Sequence, residues 1–127
     1  YALPLREDLA RVYATALKTY LDRDGQGCFV ISTATAEATG DAPSRLALAA
    51  TLADVDLAFE ARIAAGIAQG EIAGRADAQA LAKLASAMLY SLAIRARAGE
   101  SAGLLEVGVQ AVLDAICGPK SGTEQQP

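Results

Sequence analysis

Apolar residues recur at three- and four-residue steps along most of this chain. Leu5, Leu9, Val12, Tyr13, Ala16, Leu17 and Tyr20 fall on one side of a first segment, and Arg6, Asp8, Arg11, Thr15, Lys18 and Asp22 on the other. That spacing predicts an amphipathic helix over 5–21. Pro4 precedes it, where a missing N–H costs little, and the glycines of "DRDGQG", 22–27, end it. A longer stripe, Leu48, Leu52, Val55, Phe59, Ile63 and Ile67, predicts a helix entered through Asp41 as N-cap, with Pro43 in its first turn. It runs to about Gln69, with Gly70 as its C-terminal glycine and Ile72 placed to fold back on the last turn.

Asp77 opens the next helix. Leu81, Leu84, Ala85, Met88, Leu92 and Ala96 line one face, and Leu89 and Ala93 widen it. Arg95 and Arg97 stand in its last turn, where the helix dipole favours cations, and Gly99 stops it. Ser101 caps the final helix, in which Leu105, Val109, Val112, Leu113 and Ile116 face one way and Leu104, Val107 and Ala111 another. A helix apolar on two sides is usually buried on two sides.

One stretch departs from this pattern. "GQGCFVISTATAEATGD", 25–41, is rich in β-branched residues and reads by propensity as strand. The sequence offers no second strand to satisfy its backbone groups. A helix from about Cys28 to Thr39 is therefore expected, with packing overriding propensity. The fold class that follows is all-α, an antiparallel bundle of about five helices, since short connections make neighbours antiparallel. One domain is expected over 1–118, with a disordered tail at 119–127.

Composition narrows the function. The chain has 127 residues, 53% hydrophobic and 20% charged, which suits a folded domain. Its net charge of -4 makes it a poor partner for phosphate backbones. No apolar run approaches the roughly 20 residues that span a bilayer. The opening "YALPLREDLA" has no Met and no signal pattern, and reads as an internal start. Cys28 and Cys117 form no CxxC pair, so a reducing, cytoplasmic setting is the simpler expectation. Histidine is absent, which removes the commonest general base and metal ligand. No enzyme, metal or cofactor is expected.

Each candidate site has a plain structural reading beside it. Cys28 could be a thiol activated at a helix N-terminus, but no His or Lys lies nearby in sequence, and a small buried hydrophobe is the simpler role. Cys117 is read the same way. Tyr13, Leu17, Tyr20, Phe59 and Met88 could line an apolar ligand pocket or fill the core. Gly108, Ala111 and Ala115 are small residues at helical spacing, suited to close packing against a helix of the same chain or of a second copy. The acidic pairs Glu106/Asp114 and Asp54/Asp56 read as solvated faces.

The order of these features resembles the C-terminal domain of tetracycline-repressor-type (TetR/AcrR) transcriptional regulators. The likeness rests on Gly27 and Cys28 opening a short helix, an Asp-x-x-x-Arg entry at Asp41–Arg45, and a Gln-Gly-Glu-Ile turn at Gln69–Ile72. It continues in "DAQALAKLASAMLYSLAIRARAGES", with its Arg-Ala-Gly ending at Arg97–Gly99, and spans about residues 5 to 117. The resemblance implies a small-molecule-sensing domain that forms a homodimer through a four-helix bundle made by the last two helices of each subunit. Leu92, Leu105, Val109, Val112 and Ile116 are the expected dimer interface. The implied pocket for a small apolar effector holds Tyr13, Leu17, Tyr20, Phe59 and Met88. Operator DNA would be bound, in a repressor, by an N-terminal helix-turn-helix that these residues do not contain. The alternative is a helical adaptor or structural bundle with neither ligand nor catalytic role.

Overall fold

Capping residues set the helix boundaries in a computed structural model that describes residues 2–22, 36–72 and 76–120. Four helices result: α1 (Leu5–Leu21), α2 (Ala42–Ala68), α3 (Ala78–Arg97) and α4 (Ala102–Cys117). The Asp41 carboxylate accepts from the Ser44 backbone N–H at 3.3 Å and from the Ser44 hydroxyl at 2.6 Å. Asp77 accepts from the Gln79 and Ala80 N–H groups at 3.0 and 3.3 Å, and Ser101 accepts from Leu104 at 3.3 Å. Each oxygen satisfies a donor that the first helical turn leaves open.

Two helices close in the same way. Gly70 and Gly99 take φ of 76° and 86°, a region that glycine enters without steric cost. After α2, the Glu71 N–H reaches the Gly66 carbonyl at 2.9 Å, and the Gly70 N–H reaches that of Ile67 at 3.0 Å. After α3, Glu100 bonds Arg95 and Gly99 bonds Ala96, both at 3.0 Å. Both are Schellman closures.

The expected helix over 28–39 lies largely outside the described residues, as do Cys28 and the tail beyond Lys120. Residues 36–38 are helical, and the described residues contain no strand. The architecture is the all-helical bundle that the periodicity predicts.

The core gathers around α1. Leu5, Leu9, Tyr13 and Leu17 are buried against Phe59 and Ile63 of α2, Ala82, Ala85, Leu92 and Ala96 of α3, and Leu105, Val109, Val112, Leu113 and Ile116 of α4. A fully buried leucine contributes about 1.5–3 kcal/mol, so three leucines and Tyr13 buried on one helix are a large share of a small domain's stability.

Two expectations need correction. The apolar face of α3 is turned: Ala82, Ala85, Ser86, Leu92, Ala93 and Ala96 point inward, Leu84 faces solvent and Met88 is half-buried. Alanines let α2 and α1 approach this helix closely, and that approach decides which arc is inside. The expected dimer-interface residues Leu92, Leu105, Val109, Val112 and Ile116 are only 1–3% exposed within one chain. They are core residues, because α1 packs against the arc that periodicity alone left unassigned.

Gly66 marks the tightest approach. A Cβ there would lie 2.8 Å from Leu5 Cδ2 and 3.3 Å from Leu5 Cβ. Leu5 is 1% exposed and has little room to yield. Gly66→Ala should therefore lower unfolding free energy by about 1–3 kcal/mol, despite alanine's better helix propensity. Urea denaturation checks this, and unchanged or raised stability would contradict the close packing.

Candidate functional site

Helices α1, α2 and α3 leave an open groove of about 380 Å³ between them. Asp8, Leu9 and Val12 line it from α1, Asp54, Val55, Ala58, Phe59 and Arg62 from α2, and Leu89 from α3. The wall is mostly aliphatic with one aromatic ring, and its volume falls in the range of small-molecule pockets. Val12 is 40% exposed, although it belongs to the apolar stripe of α1. It is a groove wall rather than a core residue.

The charged corner of the groove is built on Arg62. This side chain is 8% exposed on the same arc of α2 as Phe59, Ile63 and Gly66. Its Nε donates to the Asp8 carboxylate, and its Nη2 donates to the Leu3 carbonyl at 2.9 Å. Glu71 Oε2 stands 4.0 Å from Nη1. The other Glu71 oxygen accepts from the Leu5 N–H at 2.9 Å. Pro4 occupies the N-cap of α1 and has no side-chain acceptor, so Glu71 caps that helix from across the fold. Sequence reasoning missed this cluster. Its signal was a charged residue at 62, on the apolar side of the helix between Phe59 and Ile63, where a buried charge requires partners.

Among the described residues the expected pocket residues fall in different places. Phe59 lines the groove. Tyr13 lies behind it at 0% exposure, its ring centroid 6.2 Å from that of Phe59, and donates from its hydroxyl to the Ala85 carbonyl at 2.8 Å. Leu17 is buried beside it and Tyr20 is half-buried at the edge of the core. Met88 belongs to a separate cleft of about 190 Å³ between α3 and α4, with Ser91, Arg95, Leu104 and Gly108. Periodicity places residues on a helix face but does not say which neighbour that face meets.

A second surface is the outward side of α4. Leu104 is 60% and Val107 66% exposed, and Ala111 and Ala115 continue the stripe. Leu84 of α3 is exposed as well. The acidic residues read as solvated faces are partly engaged: Asp114 pairs with Arg6 at 2.6 Å and Asp56 with Lys83 at 3.2 Å. Burial pushes the Cys117 thiol up, so it stays protonated near neutral pH. Among the described residues no group of three or more His, Cys, Asp or Glu could hold a metal ion, and no helix is long and apolar enough to cross a membrane.

A family model described as tetracyclin repressor-like, C-terminal domain, matches residues 5–112. No curated protein and no solved structure matches the chain.

Burial, with a smaller contribution from Cys117, raises the Tyr13 phenol well above its ordinary pKa near 10. A raised folded-state pKa means that the unfolded chain ionises first. The stabilisation is complete below about pH 10 and falls as pH rises beyond it, by up to about 1.4 kcal/mol per pH unit. Tyr13→Phe, which loses the bond to Ala85, should be less stable than the parent by about 1 kcal/mol at pH 8. That gap should shrink in denaturant titrations above about pH 10. A gap independent of pH would show that Tyr13 ionises freely in the fold.

Proposed function

The chain belongs to the tetracyclin repressor-like C-terminal domain family, and from that premise we propose that it is the effector-sensing and dimerisation part of a one-component transcriptional repressor. The family is one of regulatory domains that bind ligands and dimerise, and the match over residues 5–112 carries the reading. DNA binding is assigned to an N-terminal helix-turn-helix outside these residues. The setting is the cytoplasm, where such a regulator meets both its operator and its effector.

The α1–α2–α3 groove is the effector site in this reading. It has the size and apolar walls for a small molecule. It also explains how occupancy could be felt at a distance. Arg62 and Asp8 line the groove, and Arg62 also holds the Leu3 carbonyl ahead of α1. A ligand that favours one spacing of α1 and α2 shifts the population of that contact. The shift is thereby delivered to the end of the domain where the DNA-binding segment attaches.

The dimer forms through α3 and α4, as the resemblance implies, but by their outward residues. Leu104, Val107 and Ala111, with Leu84, replace the buried set named above. A structural bundle without ligand is the second reading. It draws on Tyr13, which fills the core with its hydroxyl already bonded.

Light-scattering mass tests the dimer. The parent chain should be a dimer at micromolar concentration, and Val107→Asp should give a folded monomer with unchanged helical content. Val112→Asp should instead unfold the chain, because Val112 is core. A parent that is monomeric, or a Val107→Asp variant that stays dimeric, rejects the placed interface.

A further inference from the structure

We propose that the α1–α2–α3 groove selects a small molecule with an apolar body and a single cationic group, and that Asp54 recognises the cation. The inference rests on the groove being the effector site. Its residues supply the chemistry. Leu9, Val12, Val55, Ala58, Phe59 and Leu89 form the apolar wall, and the charged groups are Asp8, Asp54 and Arg62. Arg62 and Asp8 satisfy each other, and Arg62 is held further by the Leu3 carbonyl and by Glu71 at 4.0 Å. Asp54 has no such partner. Among the described residues its carboxylate makes no hydrogen bond and no ion pair, whereas Asp56, two positions on, pairs with Lys83.

Among the described residues the groove therefore carries one carboxylate, that of Asp54, with no cation beside it. An anionic ligand would meet Asp54, with Arg62, the cation that lines the groove among the described residues, already committed. A neutral ligand would use the apolar wall and gain nothing from the charge. A cation gains at Asp54 while its apolar part lies on Val55 and Phe59, which follow on the same helix. The chain's net charge of -4 has the same sign and favours the approach of cations. Asp54 is solvent-exposed, so the preference is modest.

A matched pair of probes tests this: a 4-phenylbutyl trimethylammonium salt and its uncharged tert-butyl isostere, titrated by calorimetry. Amide exchange of residues 54–62 locates them. The cation should bind roughly 2- to 5-fold more tightly at low salt, with the difference closing at high salt. Asp54→Asn should abolish the difference and leave binding of the isostere unchanged. Circular dichroism confirms that this surface variant is folded. Equal affinity of the two probes for the parent chain, or a preference that survives Asp54→Asn, overturns the cation assignment and leaves the groove reading standing. If neither probe protects residues 54–62, the groove reading falls with it.

Discussion

A guanidinium held inside apolar packing is the constraint around which this fold is arranged. Arg62 can be buried to 8% exposure because Asp8, the Leu3 carbonyl and Glu71 surround its guanidinium. Those partners come from α1, from the residues ahead of α1, and from the turn after α2. Glu71 serves a second need, since its other oxygen caps the proline-started α1. The Schellman closure at Gly70 fixes where Glu71 stands. Gly66 lets Leu5 come close enough for that carboxylate to reach. The start of α1 and the end of α2 are thus one unit, and loosening either exposes a buried charge.

The groove follows from the same arrangement. The Arg62–Asp8 pair holds α1 against the second half of α2, and Tyr13 stacked on Phe59 fills the space behind. The arc of Val12, Val55 and Leu89 is left without a covering helix among the described residues. The Tyr13 hydroxyl donates to the Ala85 carbonyl and so ties the groove floor to α3. Under the proposed function, a molecule seated there would touch α1 and α2 where Arg62 joins them.

The last helix carries two apolar arcs with different surroundings. Its Leu105–Ile116 arc completes the core of one chain, and its Leu104–Val107 arc remains exposed. Both arcs are visible in the spacing of the sequence, but their assignment is not. The reading that put Leu105, Val109 and Val112 between subunits chose the more regular stripe. A regular stripe reports burial without reporting the partner.

The sequence by itself determined the four described helices and their ends. Asp41, Asp77 and Ser101 cap where their side chains predict, and Gly70 and Gly99 stop where positive φ is needed, because capping is local chemistry between near neighbours. It also determined the family-like order of elements, which the match over 5–112 bears out. The tertiary structure alone decided which faces meet. It turned α3 so that alanines rather than Leu84 face inward, and it separated Met88 from Phe59. It gathered Asp8, Arg62 and Glu71 from distant positions and left Asp54 without a partner among the described residues. These outcomes depend on contacts between residues far apart in the chain, and periodicity along one helix carries no information about the helix it will meet.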